Sequence, residues 1–128
     1  MMKQRLIVCV VLGLLGLTLG SVLWATTETS QIEITVSPKV LVLGSAAVWV
    51  TVHTDMRFSA VDVDTVGLTL NGVPVTIIKS DARGYLVAKF NSEQVKDIVD
   101  VPDATLTLTG ATADGVEFSG TDTIAVRL

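Results

Sequence analysis

Cysteine, histidine and aromatic side chains are scarce in this sequence, and their scarcity excludes several kinds of active site. The 128 residues include one cysteine and one histidine, and only 5% of them are aromatic. Cys9 lies in an apolar N-terminal run, so the rest of the chain can form neither a disulfide nor a cysteine metal cluster. His53 has no second histidine or cysteine with which to complete a catalytic triad or a transition-metal site.

Basic residues are also few once the N-terminus is set aside. Without Lys3 and Arg5, seven basic residues stand against thirteen acidic ones, a net charge of −6. Such a surface repels phosphate backbones, so the sequence predicts no nucleic-acid partner. The remaining length of about 100 residues is enough for one domain that folds without disulfide bonds or bound metal.

The first 25 residues have the layout of an export signal. Lys3 and Arg5 form a short basic start, and residues 6–24 contain no charged side chain. This layout predicts a signal peptide cleaved after Gly20 or Ala25. The apolar run is also about as long as a minimal membrane span of roughly 17 to 25 residues, so an uncleaved anchor is the alternative. In either case we expect a periplasmic, extracellular or cell-surface location, with the membrane contacted only through residues 6–24 if they are retained.

Apolar and polar side chains alternate with a two-residue period from Ile32 onward, after the polar stretch of residues 26–31. We divide the chain into a signal peptide or anchor (1–25), a tether (26–31) and a β-sandwich domain (32–128). Valine, leucine and threonine in alternation are typical of half-buried strands. The predicted inward positions are Ile32, Ile34, Val36, Val48, Val50, Val52, Val66, Leu68, Leu70, Val75, Ile77, Leu86, Ala88, Phe90, Leu106, Leu108, Phe118, Ile124, Val126 and Leu128.

Local signals divide this pattern into seven or eight short antiparallel strands and one helix. Asn71-Gly72 predicts a tight hairpin, because both residues can adopt positive φ. Pro74 predicts an edge strand, where a missing N–H is tolerated. Asn91 and Gln94 predict a helix that starts at Asn91 and reaches Val99, with Val95, Ile98 and Val99 on one face. The fold class predicted from these signals is an all-β sandwich.

Three segments resemble a family of immunoglobulin-like β-sandwich modules found in large secreted bacterial proteins. Residues 61–75 are similar to its D-x-S-T-V-x-L-x-G-V strand and turn, and residues 84–95 to its D-G-Y-x-D-L-V-x-x-F-x-x-Q-x-V segment. Residues 106–124 are similar to its closing L-T-L-T-G-x-x-x-D-G-x-x-F-x-G-x-D-x-I hairpin. The resemblance covers nearly all of the predicted domain and implies an antiparallel immunoglobulin-like sandwich.

The resemblance also implies a calcium-type loop, D-x-N-G-D-G, before the tyrosine, but this loop is degenerate here. Asp81 and Gly84 match the family's positions, whereas Ala82 and Arg83 replace ligand positions. Calcium prefers several oxygen ligands, and a cation among them reverses the local electrostatics. We therefore predict no tight calcium binding, no metal and no cofactor, and a purely structural turn before the next strand.

Two aromatic residues and two pairs of aspartates are the remaining functional candidates. Trp49 and Tyr85 are possible ligand contacts, since aromatic rings on a strand can stack on sugars, but aromatic residues are too few for a platform, and core or inter-sheet packing is the favoured interpretation of Trp49. Asp62 with Asp64, and Asp97 with Asp100, are the carboxylate pairs available for acid–base chemistry. Both pairs lie beside predicted turns, where aspartate commonly bonds to the local backbone. We therefore predict no catalytic residues.

These observations favour an exported, non-catalytic immunoglobulin-like module with a structural or protein-interaction role at the cell envelope or outside the cell. Its expected partner is another envelope or extracellular protein. One alternative is a module that binds carbohydrate or a surface polymer. The other is a membrane-anchored envelope or filament subunit that assembles through a strand edge.

Overall fold

The alternating segments of the sequence form strands. A computed structural model describes residues 29–128. Within them lie ten strands, more than the seven or eight predicted, one 3₁₀ helix (Phe58–Ala60) and one short α-helix. Residues 1–28, which include the predicted signal peptide or anchor, lie outside the described residues. The strands are β1 (Ser30–Gln31), β2 (Ile34–Ser37), β3 (Val40–Val42), β4 (Trp49–Arg57), β5 (Thr69–Leu70), β6 (Val73–Pro74), β7 (Ile77–Ser80), β8 (Tyr85–Asn91), β9 (Asp103–Ala111) and β10 (Glu117–Arg127).

The strands form two sheets, and the prediction of an all-β sandwich is confirmed. The four-stranded sheet has the order β2-β4-β8-β7, with antiparallel pairing throughout. The six-stranded sheet has the order β6-β5-β9-β10, and both β1 and β3 pair with the remaining edge of β10 in parallel. The start of the domain therefore crosses between the sheets twice, from β1 to β2 and from β2 to β3.

The core lies between the two sheets and consists of the inward side chains of both. Burying each of these apolar side chains contributes about 1.5–3 kcal/mol, so their alternation fixes which face of each strand is inside. The buried apolar cluster contains Ile34, Val36, Leu41, Val50, Val52, Val66, Leu68, Leu70, Val73, Leu86, Ala88, Phe90, Val95, Val99, Leu106, Leu108, Phe118, Ile124 and Val126. Most of the predicted inward positions are thus confirmed.

Three predicted inward positions are wrong, each at the end of a strand. Val48 is 61% exposed because β4 begins one residue later, and Leu128 is 88% exposed because it lies beyond the end of β10. Ile77 is 37% exposed because it lies opposite the outward Lys89, so that Ile78, opposite the buried Ala88, is the inward residue of β7. The return strand of the hairpin is only β6, where Val73 is the buried side chain.

The local signals in the middle of the chain are largely confirmed. Asn71 (φ 48°) and Gly72 (φ 89°) form the tight turn between β5 and β6, and Pro74 lies in β6, the outermost strand of its sheet. Helix α1 (Ser92–Lys96) starts after Asn91, whose side-chain oxygen accepts hydrogen bonds from the amides of Glu93 and Gln94. It is shorter than predicted.

The predicted helix extends too far at its C-terminal end. Asp97 ends α1, and the chain turns before Val99 instead of continuing to it. Val95 and Val99 are buried as expected, but Ile98 is 45% exposed and does not share their face.

The sandwich has two distinct ends. At the entry end, residues 29–33 lie beside the C-terminal part of β4, and the residues that follow β4 lie beside the turn between β9 and β10. The Asp55 amide donates to the Glu33 carbonyl (3.2 Å), and the Ala113 amide donates to the Ala60 carbonyl (2.9 Å). The far end holds α1, the Asn71–Gly72 turn and the C-terminal end of β10, since antiparallel register places them at the opposite ends of their strands.

Candidate functional site

The degenerate calcium-type loop is a tight turn that joins β7 to β8. The Asp81 Oδ1 atom accepts hydrogen bonds from the amides of Arg83 (2.8 Å) and Tyr85 (3.0 Å). The backbone closes the same turn, because the Asp81 amide donates to the Tyr85 carbonyl and the Gly84 amide donates to the Asp81 carbonyl. Gly84 has φ +89°, a conformation that favours glycine. The carboxylate therefore organises its own backbone.

The electrostatics of Asp81 follow from these bonds. The Tyr85 amide, more than any other group, lowers the pKa of the Asp81 carboxyl below its ordinary value. Partial desolvation opposes this effect, while the amide and guanidinium of Arg83 add to it. Within residues 29–128, no group of three or more potential metal-ligating side chains converges here or elsewhere. The absence of calcium binding stays a prediction.

Two arginines stand over the Tyr85 ring beside this turn. The guanidinium carbon of Arg57 lies 5.1 Å from the ring centroid and that of Arg83 lies 5.6 Å from it, within the range of cation–π attraction. Arg57 also donates to the Arg83 carbonyl (3.1 Å), and a side chain at Gly84 would approach the Arg57 guanidinium to 3.2 Å. Among the described residues, neither guanidinium has a carboxylate within 4 Å.

A bulge in β4 sets the position of Arg57. The register between β4 and β8 shifts between His53 and Arg57, so that Arg57 comes to lie opposite Tyr85. The buried hydroxyl of Thr54 holds the bulge by donating to the Leu86 carbonyl (2.8 Å) and accepting from the Met56 amide (3.1 Å). Bulges commonly redirect a side chain at the edge of a site, and this one aims Arg57 over the tyrosine ring.

Trp49, His53 and Tyr85 all lie on the outer face of the four-stranded sheet. Trp49 and His53 alternate along β4 with Val50 and Val52, which are fully buried. The favoured interpretation of Trp49 as a core or inter-sheet packing residue is therefore wrong.

The structure does not bring the two candidate aromatic residues together. Trp49 is opposite Asn91, six residues along β8 from Tyr85, a separation of about 20 Å. The two rings therefore cannot stack on one sugar, although they share one face of the sheet.

The carboxylate pairs do not form acid–base sites. Asp62 and Asp64 are exposed, and the Asp62 carboxylate accepts from the Asp64 amide (3.0 Å), which is an ordinary aspartate turn. Asp97 ends α1 and Asp100 is exposed in the following turn.

Sequence reasoning missed a buried lysine at the far end. The Lys96 side chain is only 6% exposed, and its ammonium donates to the Ser45 carbonyl (2.7 Å) and to the Glu93 carboxylate (3.3 Å). Ser92, one turn earlier on α1, has a buried hydroxyl without a hydrogen-bond partner. Because that hydroxyl is covered by protein, Ser92 is inaccessible as a nucleophile. The Asn91 cap was the sequence signal that could have found them. It sets where α1 begins, and therefore that Ser92 and Lys96, four residues apart, lie on the same side of the helix.

A second missed residue, Asp122, joins the two sheets. Its carboxylate accepts from the Val36 amide (2.8 Å) and from the Thr123 amide (3.0 Å), and forms an ion pair with Lys39. Burial alone would raise the pKa of the Asp122 carboxyl, but the Lys39 ammonium and the Val36 amide outweigh it and the pKa is lowered. This carboxylate is structural, since its oxygens are committed to the fold.

A shallow cleft of about 510 Å³ lies at the entry end of the six-stranded sheet. Its lining includes Thr29, Gly67, Gly110 and Phe118, and Glu117 is its one ionisable side chain. A single carboxylate without a partner group gives this cleft no chemistry of its own.

The candidate residues thus lie in turns, between the sheets and on the outer face of one sheet, and the absence of catalytic residues stays a prediction. Among residues 29–128, no helix is long and apolar enough to cross a membrane. No family model, curated protein or solved structure matches the chain, so the resemblance to secreted bacterial modules stays a prediction.

Proposed function

We propose that this chain is an exported, non-catalytic immunoglobulin-like module with a structural or protein-interaction role at the cell envelope or outside the cell. The strand order carries the proposal. In immunoglobulin sandwiches one sheet has the order A-B-E-D and the other contains C-F-G. Here β2-β4-β8-β7 corresponds to the first order and β5-β9-β10 to the second, with β3 as the return of the first strand beside the last.

The use of polar side chains supports a non-catalytic role. Asp81, Asp122 and Asn91 each accept backbone amide hydrogen bonds, and Lys96 donates to a carbonyl. A general base or nucleophile needs a free functional atom that faces a substrate. These side chains instead satisfy backbone groups at turns, at a helix end and between the sheets.

Export is supported by the basic start and uncharged run of the first 25 residues. The test is to express the full chain in a bacterium, separate the cell fractions and measure the intact mass of the protein. A start at Ser21 or Thr26 in the periplasm or medium indicates a free module. Retention of residue 1 with detergent-dependent solubility indicates an anchored one. Full-length protein in the soluble cytoplasmic fraction would contradict export.

A second candidate function is binding of a carbohydrate or surface polymer. It is favoured by the position of Trp49 and Tyr85 on one open sheet face, because a long ligand lying along the strands could contact both. Titration with polysaccharides while following Trp49 fluorescence tests it, and Trp24→Phe removes the other tryptophan signal. Fluorescence that stays flat across neutral and charged polymers would exclude this function.

A further inference from the structure

The positive charge of the domain is concentrated on one sheet. The seven basic residues that follow position 25 all lie within residues 29–128, and four of them belong to β4, β7, β8 or the β7–β8 turn. These four are Arg57, Lys79, Arg83 and Lys89. A protein whose exported part carries a net charge of −6 thus places most of its cations together.

The four cations lie on three successive rows of the outer face. In the first row, Lys89 is opposite Thr51 in β4, and its ammonium lies 3.4 Å from the Thr51 hydroxyl. In the second, Lys79 is opposite Val87 in β8, which pairs with His53 on its other side.

The third row holds the arginines, with Arg57 opposite Tyr85 and Arg83 over the same ring. Successive rows are two residues apart, about 6.6 Å, so the cations extend over about 13 Å along the strands.

The burial of Val87 shows that the outward side chains of this face lie close together. Val87 alternates with Leu86 and Ala88, which are fully buried in the core, so its side chain points outward. It is nevertheless only 2% exposed and is not part of the core cluster. Neighbouring outward side chains must cover it, as lysine stems commonly do while keeping the ammonium group in water.

Carboxylates on this face are confined to the entry end of the rows. Asp55 is exposed in β4 between His53 and Arg57, with Glu33 beside it, and Asp81 lies in the β7–β8 turn. The carboxylates of Asp55 and Asp81 are each bonded to backbone amides. The outer face of the six-stranded sheet differs, because β9 and β10 present threonines there, and hydroxyls of Thr105 and Thr123 meet at 3.0 Å. Within residues 29–128 the two outer faces therefore differ in charge, because four cations stand on the four-stranded sheet against three carboxylates at one end of it, whereas β9 and β10 present mainly hydroxyls.

We propose that the outer face of the four-stranded sheet binds a linear anionic polysaccharide, one that bears carboxylate or sulfate groups. We name the row residues Lys79, Lys89, Arg57 and Arg83, together with Trp49, the cationic track. The inference rests on the proposed role as an exported binding module and names its ligand class. Cations spaced along the strand direction match charges that repeat along a linear polymer, whereas a small anion would use one row only.

A sugar polymer suits this face better than an acidic polypeptide does. A polypeptide gains most by pairing its backbone with a strand edge, but the cationic track lies across the face of the sheet, where no backbone group is free. The track instead offers the Trp49 ring and the Thr51 hydroxyl beside its cations, groups that stack on sugar rings and bond to sugar hydroxyls.

The test measures the affinity of the detergent-solubilised full chain for polygalacturonate, dextran sulfate, neutral dextran and poly-glutamate at low and high salt. The double variant Lys79→Gln/Lys89→Gln removes two cations from the track. The double variant Lys39→Gln/Arg127→Gln is the matched control, because it removes the same charge from elsewhere on the domain. We expect the track variant to weaken binding of a charged polysaccharide about fivefold to twentyfold and the control to change it less than about twofold.

Each outcome decides the proposal. Binding of polygalacturonate or dextran sulfate, with a shift of Trp49 fluorescence in the Trp24→Phe background and without binding of dextran, supports it. The two charged polymers distinguish carboxylate from sulfate recognition. Equal losses in both double variants would mean attraction by overall charge and would overturn the site. Equal affinity for poly-glutamate would overturn the sugar assignment in favour of an acidic polypeptide.

Failure of this inference is separable from failure of the proposed function. If no polyanion binds at low salt while the mature protein is found outside the cytoplasm, the ligand class is wrong and the exported module stands. If the full-length chain stays in the cytoplasm, export is wrong whatever the polymers do.

Discussion

Replacing Asp122 with alanine removes the carboxylate that ties the six-stranded sheet to the four-stranded one. The lost contacts are the hydrogen bond from the buried Val36 amide (2.8 Å), the bond from the Thr123 amide (3.0 Å) and the ion pair with Lys39. Their contributions differ, because the amide of Val36 is shielded from water whereas the Lys39 side chain is 54% exposed.

The expected magnitudes follow from that difference. A hydrogen bond to a charged acceptor contributes about 1.5–3 kcal/mol, and a buried amide left without an acceptor incurs a similar loss. We therefore expect Asp122→Ala to lower the free energy of unfolding by about 2–3 kcal/mol. An exposed ion pair contributes about 0.2–1 kcal/mol, so Lys39→Gln is expected to lower it by less than about 1 kcal/mol.

The pH dependence of the same residue has a definite sign. The folded-state pKa of Asp122 is lowered, so its charge adds stability above the unfolded-state pKa of about 4. That contribution is lost as the pH falls through the lower folded-state pKa. Asp122→Asn keeps an acceptor for the Val36 amide but has no charge, so its stability deficit relative to the unchanged protein is expected at pH 7 and is expected to shrink as the pH falls below the unfolded-state pKa of about 4.

Urea unfolding followed by Trp49 fluorescence measures all three variants, with Trp24→Phe as the common background. Equal slopes with urea concentration would show that the compactness of the two states is unchanged. If Lys39→Gln were as destabilising as Asp122→Ala, the ion pair and not the amide bond would join the sheets. If the deficit of Asp122→Asn grew at low pH, the sign of the pKa shift would be wrong.

Three further predictions concern the frame and the turns. Gly120→Ala should destabilise the fold by about 1–3 kcal/mol in thermal unfolding, since a Cβ there would lie 2.6 Å from the Ile32 carbonyl oxygen; an unchanged melting temperature would refute the clash. Asn91→Ala should lower the free energy of unfolding by about 1 kcal/mol through loss of the α1 cap, whereas Asn91→Asp should preserve it, and urea titration of both distinguishes a cap from a general surface effect. Calcium titration by calorimetry should give no heat of tight binding, and micromolar affinity that disappears in Asp81→Ala would show that the β7–β8 turn is a metal site after all.

Much of the fold could be predicted because alternation has a direct physical cause. Each strand buries one face, so Val50 and Val52 in β4, or Leu106 and Leu108 in β9, identify the inner side from the sequence alone. Asn71 and Gly72 identify their hairpin because few residues adopt positive φ easily. The ends of the strands could not be predicted in this way. Val48, for example, fits the alternation but lies one residue outside the last pair of β4 with β8.

The pairing of distant strands could not be predicted by this reasoning. Nothing in residues 30–42 indicates that the chain visits one sheet, then the other, then the first again, because each piece is only two to four residues long. For the same reason, the contacts of the candidate site between distant segments could not be predicted. Tyr85 and Trp49 were named individually, but Arg57 was not, because a bulge in β4 brings it to the ring of Tyr85.

The two parallel pairings of β10 have a mechanical consequence. Thr29 lies at the entry end and Leu128 at the far end, so a stretching force applied between them is directed along the strands. The bonds of β1 and β3 to β10 would then be sheared together instead of being peeled apart one after another. A domain with these two parallel pairings resists extension along its length until several hydrogen bonds break at once.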